Sequence, residues 1–305
     1  MEDNRIEYYA ANATLLTIPT GDVKVKGIII FVHGMCERKE RYTHVMDYFS
    51  RNGYICAASD LRGHGERADA IGQLGYFGKS GDKAFVKDLH KSILQLKNDF
   101  PNLPLILIGH SMGSLIVRAY AKKYDNEVDI LVVCGCPSNN TAAGIGKLLI
   151  KSMALVKGWQ YKSEFIKKLV SGGYNKSFAS EGSDNAWLST DKTISEKYNS
   201  DKLCGFTFTL NGYYCLLSLI TTVYSRKGWR MANAELPIHF ISGGDDPCRV
   251  SDKKFLEAVS HMKNVGYINV SSFLYPGRRH ELFNESNQSE IFDDILQFIV
   301  RVQNS

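Results

Sequence analysis

Proline is scarce in this chain and glycine is only moderately frequent, with 7 prolines and 26 glycines among 305 residues. Low-complexity and collagen-like chains need far more of both residues, so these classes are excluded. Disorder of the whole chain is excluded as well, because 44% of the residues are hydrophobic and 23% are charged, which are ordinary globular values. A chain of this length buries a large core and needs no disulfide or metal for its stability.

A strong excess of charge of one sign is also absent. The 37 Lys and Arg residues stand against 32 Asp and Glu residues, which gives a net charge of +5. Nucleic-acid-binding proteins usually carry a denser basic footprint together with a recognisable motif, and this sequence has neither. No nucleic-acid partner is therefore predicted.

The seven cysteines are odd in number and lie mostly within apolar runs. This pattern favours reduced, buried thiols in a reducing cytosol over a disulfide framework. Cys134 and Cys136 have the chemistry of metal ligands, but no second Cys or His pair stands at zinc-site spacing nearby. Residues 1–24 are charged and lack the basic and then apolar pattern of a signal peptide. We therefore predict a cytoplasmic protein without a metal or a cofactor.

Patterns typical of buried strands and amphipathic helices alternate along the first 134 residues. The β-branched run at 27–32 (GIIIFV) is typical of a strand buried in a parallel sheet. This alternation predicts an α/β fold, with a mostly parallel central sheet and helices on both faces. The predicted strands are 27–32, 54–58, 105–108, 130–133, 237–241 and 272–275, after a strand or hairpin within 6–18; the predicted helices are 41–52, 82–98, 115–124, 252–261 and 290–301.

The alternation stops between residues 139 and 234, where the sequence is helical and loop-like. We therefore predict a core of residues 1–138 and 235–305, interrupted by a helical insertion at 139–234. Within the insertion, residues 203–225 carry no charge and are long enough to cross a bilayer. Core strands stand on both sides of this segment in sequence, which favours packing within the insertion or an acyl-binding wall over a membrane span.

Residues 109–113 read GHSMG, directly after a predicted strand and before a predicted helix. This is the G-x-S-x-G pattern of a nucleophile elbow, in which a strained turn raises a serine hydroxyl above the sheet. Small residues two positions before and after the serine let the strand and helix backbones approach each other. The pattern predicts Ser111 as a nucleophile.

A serine hydroxyl needs a base to take its proton and a carboxylate to orient that base. Two later strands are each followed by a loop that supplies such a group: 243–247 (GGDDP) and 276–281 (PGRRHE). These loops lie at the carboxyl ends of their strands, where open α/β sheets place their sites. The chain order of serine, acid and histidine predicts His280 as the base, with Asp245 or Asp246 as the acid.

Two backbone N–H groups are expected to stabilise an oxyanion. The residue after the nucleophile supplies one, Met112, and the loop after strand 27–32 supplies the other, Met35. His33 and His110 are interpreted as supports that pack and form hydrogen bonds. In the loop after strand 54–58, Asp60 and Arg62 are expected to form an ion pair with each other.

Together these motifs resemble the α/β-hydrolase superfamily, and more closely its monoacylglycerol lipase and lysophospholipase group. In this group the acid stands just before the proline, which implies Asp246, and the insertion is a cap over the site. The group often has His-Gly-x-Gly-Glu-His in the oxyanion loop, whereas here Cys36 replaces the second glycine and Arg38 the second histidine. The motifs that carry the resemblance are residues 33–34, 37, 41–42, 60, 62–65, 109–113, 187–189, 246–247, 275–277 and 280–281.

The resemblance implies a serine carboxylic-ester hydrolase that acts on lipid monoesters, monoacylglycerol or lysophospholipid, through an acyl-enzyme. Short-chain or aryl esters, thioesters, acyl transfer and aminopeptidase action stay open as alternatives on the same triad. A non-catalytic ligand receptor is disfavoured, because no member of the triad is missing from the sequence. Residues 141–235 hold 13 Lys and Arg against 7 Asp and Glu, so peripheral contact of a basic cap with an anionic membrane is a further hypothesis.

Overall fold

The computed structural model describes residues 14–79 and 81–305, together with the backbone of residues 7–9. Within these residues eight strands form one sheet in the order β1-β2-β4-β3-β5-β6-β7-β8. The strands are β1 (Glu7–Tyr9), β2 (Thr14–Thr17), β3 (Gly27–Val32), β4 (Tyr54–Ala58), β5 (Leu105–His110), β6 (Ile130–Cys134), β7 (Ile238–Gly243) and β8 (Val270–Tyr275).

The sheet is parallel from β4 to β8, and only the β1–β2 hairpin and its pairing with β4 are antiparallel. The side chains of β3 alternate between two separate apolar clusters, with Ile28 and Ile30 in one and Ile29 and Phe31 in the other. A strand that is apolar on both sides requires cover on both faces of the sheet. The expected fold class, an α/β-hydrolase fold with a mostly parallel sheet, is confirmed.

Ten α-helices belong to the described residues, and the two apolar clusters divide the core helices between the faces of the sheet. α3, α4 and α9 contribute to one cluster and α1 and α10 to the other. The helices are α1 (Thr43–Arg51), α2 (Gly65–Ala70), α3 (Gly81–Asp99), α4 (Met112–Tyr124), α5 (Ala143–Lys157), α6 (Glu164–Ser171), α7 (Lys192–Ser200), α8 (Leu210–Val223), α9 (Asp252–Val265) and α10 (Gln288–Gln303).

Helices α5 to α8 lie between β6 and β7 in the chain, in the region where the sequence showed no strand pattern. α8 occupies most of the uncharged segment 203–225 and begins after Thr209, whose side chain accepts a hydrogen bond from the Gly212 N–H. Its apolar side chains pack in the same cluster as those of α3 and α4. In the part of the chain that the structure describes, each helix is too short or too polar to span a bilayer.

The structure corrects two local expectations. β5 extends to His110 and α4 begins at Met112, so the strand and the helix meet directly at Ser111. The predicted ion pair between Asp60 and Arg62 is wrong, because each side chain pairs with a residue of another element instead. Asp60 accepts hydrogen bonds from the backbone and the ammonium of Lys39, at 2.9 and 2.5 Å, while Arg62 pairs with Asp88 at 2.7 Å.

Candidate active site

Ser111 lies at the sharp turn between β5 and α4 with φ 51° and ψ −116°, a backbone conformation in which non-glycine residues are strained. The close packing of this turn requires Gly113, since a Cβ atom there would lie 2.0 Å from the backbone oxygen of Val32. The Ser111 N–H donates to the Cys134 carbonyl of β6 at 2.9 Å, which fixes the turn to the sheet. This local geometry is that of a nucleophile elbow.

His280 and Asp246 come together at the carboxyl ends of β7 and β8. His280 Nδ1 lies 3.0 Å from both carboxylate oxygens of Asp246, and both side chains are almost completely buried. The carboxylate also accepts hydrogen bonds from the Ser242 hydroxyl, at 3.0 Å, and from the Cys248 N–H, at 2.8 Å. Because a carboxylate only accepts, this network assigns the proton to Nδ1 and leaves the lone pair on Nε2.

The electrostatics of Asp246 keep its carboxyl group ionised. Burial alone would raise its pKa, but the charge and hydrogen bond of His280, with the donors from Cys248 and Ser242, lower the pKa below its ordinary value. Asp245, the other candidate from the sequence, has an exposed side chain. Of the two aspartates, only Asp246 contacts the histidine.

Ser111 Oγ forms no hydrogen bond within the described part of the chain, and the neighbour of His280 Nε2 is the thiol of Cys248, with Sγ at 3.9 Å. Catalytic hydrogen bonds are often long before substrate binds. Ser111 is 8% exposed and His280 is 2% exposed. Both side chains are therefore almost closed to solvent.

The loop after β3 lies against Ser111, because a Cβ atom on Gly34 would be 3.0 Å from the Cβ of Ser111. The N–H groups on either side of Met35 have partners inside the protein: Gly34 donates to Glu37 at 2.6 Å and Cys36 donates to His64 Nε2 at 3.2 Å. The Met35 N–H has no partner among the described residues. The N–H of Met112 has no partner among these residues either. Met112 is the first residue of α4, and the first N–H groups of a helix have no acceptor within the helix.

A buried network of charged side chains supports this loop and the histidine together. Glu37 lies 3.0 Å from His110 Nδ1 and 3.1 Å from Arg41, and Arg41 also forms a bidentate ion pair with Glu281 at 2.5–2.6 Å. His110 Nε2 donates to the carbonyl of His280 at 3.2 Å. His110 therefore has the supporting role predicted for it.

Opposite pKa shifts in this network agree that Glu37 and His110 form an ion pair. Burial would raise the pKa of Glu37, but His110 and then Arg41 lower it far below its usual range. Burial would lower the pKa of His110, but the hydrogen bond and charge of Glu37 raise it above its usual value. The sequence motifs contained Glu37, Arg41 and Glu281 without revealing that these side chains contact each other.

Part of the insertion is fixed to the loop that carries His280. The backbones of Trp187 and Leu188 accept hydrogen bonds from the N–H groups of His280 and Glu281, at 3.5 and 2.7 Å. The ring centroids of Trp187 and His280 lie 4.9 Å apart. Glu285 bonds both to the Arg279 N–H, at 2.6 Å, and to the Thr190 N–H, at 2.9 Å. Segment 186–190 therefore covers the histidine directly.

Residues 23–287 match the family model Hydrolase_4, described as serine aminopeptidase, S33. The chain belongs to this family. Together with the fold, this makes it a serine hydrolase of the α/β-hydrolase superfamily, similar to the monoacylglycerol lipase and lysophospholipase group.

Individual relatives cover nearly the full length of the chain. A monoacylglycerol lipase of Mycolicibacterium smegmatis is 28% identical over 282 residues, which are 92% of this chain and 90% of the relative. Among solved structures, a thermostable carboxyl esterase from Bacillus coagulans has a TM-score of 0.86 at 25% identity, covering 97% of each chain. A soluble variant of the monoglyceride lipase from Saccharomyces cerevisiae has a TM-score of 0.70 at 20% identity, covering 98% and 95%; this last likeness concerns the fold alone.

Proposed function

We propose that this chain hydrolyses carboxylic esters of lipids, monoacylglycerol or lysophospholipid, through a Ser111–His280–Asp246 triad. The observation that carries the proposal is the buried hydrogen bond between Asp246 and His280 Nδ1, which leaves Nε2 as a base on the histidine. The strained conformation of Ser111 at the elbow supports its role as the nucleophile.

In the proposed mechanism, Ser111 Oγ attacks the ester carbonyl while His280 Nε2 takes the hydroxyl proton. Asp246 stabilises the resulting imidazolium and does not itself become protonated. The N–H groups of Met35 and Met112 bind the oxyanion, where one such donor is typically worth about 3–4 kcal/mol of transition-state stabilisation. His280 gives its proton to the leaving alkoxide, and a water molecule, activated in turn by His280, hydrolyses the acyl-enzyme.

The proposed substrate class rests on the relatives and on the apolar character of the insertion. The relative from Mycolicibacterium smegmatis is named a monoacylglycerol lipase, and one from Bacillus subtilis is named a phospholipase. We propose that residues 139–234 form a cap on a core of residues 1–138 and 235–305. Each buried methylene of an acyl chain contributes about 0.8 kcal/mol, so chain length is expected to dominate substrate choice.

A short-chain esterase is the second candidate, favoured by the structural similarity to a carboxyl esterase. Hydrolysis rates for p-nitrophenyl esters of increasing acyl length, measured beside monoacylglycerol and lysophospholipid, separate the two. We expect kcat/KM to rise with acyl length and both lipids to be hydrolysed. A maximum at the shortest acyl chains, with neither lipid hydrolysed, would favour the short-chain esterase.

The role of Ser111 is tested with a fluorophosphonate probe and the variant Ser111→Ala. We expect the wild type to be labelled at Ser111, and the variant to lose labelling and to retain less than about a hundredth of the esterase activity. Ser50→Ala is the matched control, since it removes a buried hydroxyl on α1 that forms no hydrogen bond within the described residues. Labelling of Ser111→Ala at the wild-type level would refute the assignment.

We further propose that the cap contacts a lipid surface. Its net positive charge is joined by large exposed apolar side chains on α5, on α6 and between them, and Leu155 and Val156 are each 82% exposed. Patches of this kind mark protein or membrane contacts. α6 is near the site: Glu164 at its start accepts a hydrogen bond from the Thr207 hydroxyl at 2.9 Å, and the carbonyl of the preceding residue, Phe206, accepts one from the Cys36 thiol at 2.8 Å.

Membrane contact is tested by co-sedimentation with zwitterionic and anionic vesicles. The double variant Leu155→Ser/Val156→Ser is expected to lower vesicle binding at least about tenfold, because two apolar side chains no longer enter the lipid. Ile268→Ser is the control, as Ile268 is 67% exposed and stands before β8, outside the insertion. Unchanged binding of the double variant would exclude this surface. A cytoplasmic location also stays a proposal, supported by seven free, buried cysteines.

A further inference from the structure

We infer that the active site contains an inhibitory binding site for thiophilic divalent cations such as Zn²⁺, with Cys248 Sγ and His280 Nε2 as its protein ligands. Cys248 follows Asp246 by two residues, and neither the proposed catalytic mechanism nor the sequence motifs give its side chain a role. This inference goes beyond the proposed function, because it concerns a ligand that is not a substrate.

The distance between the two ligand atoms suits a single zinc ion. Cys248 Sγ and His280 Nε2 are 3.9 Å apart. A tetrahedral zinc ion with ordinary Zn–S and Zn–N bonds holds these two atoms about 3.6 Å apart. A shift of a few tenths of an ångström therefore brings both atoms to bonding distance from one ion.

The histidine already has the surroundings of a metal ligand. A zinc-bound histidine usually donates its other ring N–H to a carboxylate, which orients the ring and makes the ligating nitrogen more basic. Asp246 holds His280 Nδ1 in this way at 3.0 Å, and Nε2 carries the lone pair. Within the described part of the chain, Asp246, Cys248 and His280 also form a group whose possible metal-binding atoms all lie within 4.8 Å of one another.

Cys248 and His280 are 5% and 2% exposed, but an ester can react only if it reaches His280. A state that opens to the substrate is therefore open to a hydrated ion. On binding, the thiol of Cys248 releases its proton to water, the thiolate and the imidazole each donate a lone pair to the ion, and water completes its coordination. The lone pair of His280 Nε2 is then bound to the ion and can no longer accept the proton of Ser111.

The test has an optical readout that does not depend on turnover. Co²⁺ alone is added to the full chain, and the thiolate-to-cobalt charge-transfer band is recorded in the near ultraviolet. We expect the band in the wild type and in Cys136→Ser, a control that removes another buried thiol. The band is expected to disappear in Cys248→Ser and in His280→Ala. No band in the wild type, or an unchanged band in Cys248→Ser, would overturn the inference.

Inhibition is measured separately, as the ratio of activity with and without Zn²⁺ for each variant. We expect Zn²⁺ to inhibit the wild type reversibly, with recovery on addition of EDTA, and Mg²⁺ to have no effect, because it prefers oxygen ligands. Cys248→Ser should need at least about ten times more Zn²⁺ for half-inhibition. Equal zinc sensitivity would refute the role of Cys248. Cys248→Ala replaces the serine variant if circular dichroism shows the latter to be unfolded.

If the chain shows no esterase activity at all, the cobalt spectra still decide whether Cys248 and His280 bind a metal. Failure of the proposed function and failure of this inference are therefore distinguishable.

Discussion

Backbone direction decides which of two adjacent carboxylates can reach His280. Adjacent residues in an extended segment point to opposite sides, and Pro247 biases the residue before it towards an extended conformation. Asp246 adopts φ −69° and ψ 114° and turns its carboxylate inwards, to the histidine and the Ser242 hydroxyl. Asp245 turns its side chain to solvent. The choice between them could not be made from residue type alone, since both are aspartates.

We predict that Asp246→Asn lowers kcat at least about a thousandfold and Asp245→Asn less than about tenfold. An asparagine at the triad acid keeps the shape but favours the wrong histidine tautomer, and in serine proteases with the same triad this change costs ~10⁴ in kcat. Assays of both variants on one ester measure the difference. The reverse ranking would transfer the role of the acid to Asp245.

Glu37 is the residue on which the oxyanion loop and the buried charges depend. One of its oxygens accepts from the Gly34 N–H, Tyr42 and His110, and the other accepts from Arg41. In Glu37→Gln, the side-chain N–H₂ group faces one of these hydrogen-bond donors instead of accepting from it. In Glu37→Ala, the buried charges that pair with Glu37 lose this partner.

We expect kcat/KM to fall about tenfold to a hundredfold in Glu37→Gln. Glu37→Ala should also lose about 3–5 kcal/mol in the free energy of unfolding, because breaking a buried ion pair strands its partners. Urea unfolding and ester hydrolysis measure the two effects. Glu40→Gln, at a half-buried pair with Lys39, is the control. Two variants that match the wild type in both assays would contradict a supporting role for Glu37.

At the scale of elements, the core strands and helices could be predicted because their own residues contain the pattern. Residues Ile28 to Val32 alternate between two buried faces because the sheet is pleated and this run is rich in β-branched side chains. The direct junction of β5 and α4 was less predictable, since the strain at Ser111 is imposed by packing against β3 and β6 rather than by local preference.

The attachment of the insertion to the histidine loop could not be predicted from the sequence. Thr190 and Glu285 are 95 residues apart, and both lie outside regular α-helices and strands, so no periodic pattern relates them. One carboxylate oxygen of Glu285 bonds to the Arg279 N–H, and the other accepts from Ser189 and Thr190. This carboxylate therefore joins the insertion to the residue preceding His280.

We predict that Glu285→Gln lowers kcat about tenfold and leaves KM within about twofold of the wild type. Glutamine has one acceptor oxygen, so one side of this bridge is lost and His280 is less well positioned. Hydrogen bonds to charged groups contribute about 1.5–3 kcal/mol, and a loss of this size in the free energy of unfolding is expected. Steady-state kinetics and urea unfolding provide the measurement, with exposed Glu290→Gln as the control. A rise in KM alone would assign Glu285 to substrate binding instead.

At the scale of the whole molecule, the parallel sheet brings together four loops that are far apart in sequence. The loops after β3, β5, β7 and β8 supply Met35, Ser111, Asp246 and His280. Because parallel strands end at the same edge, this meeting of loops follows from the topology. The sequence could therefore predict which loops form the site, while the buried partners of those loops became visible only in the structure.

Several buried and half-buried histidines connect the stability of the molecule to pH. Burial lowers the pKa of His64 to about 3 and that of His239 to about 4, and it also lowers the pKa of His44 and His261. The pKa of His110 is shifted in the other direction by Glu37. A group whose pKa is lowered in the folded state stabilises the fold at pH values above its unfolded pKa, which is about 6.5 for histidine. As the pH falls below that value, this contribution to stability is lost.

His64 provides the test, because its Nε2 must stay unprotonated to accept the Cys36 N–H while Nδ1 donates to the Arg62 carbonyl. Between about pH 6.5 and its folded pKa of about 3, the unfolded chain binds a proton at this residue and the folded chain does not. As the pH falls through this range, the titration of His64 therefore lowers the free energy of unfolding by at most about 1.4 kcal/mol per pH unit. Glutamine can accept and donate at similar positions but does not titrate, so His64→Gln is expected to lose stability less steeply between pH 7 and pH 5. Urea unfolding of both proteins at several pH values measures the two slopes, and parallel slopes would show that His64 is not buried in its neutral form.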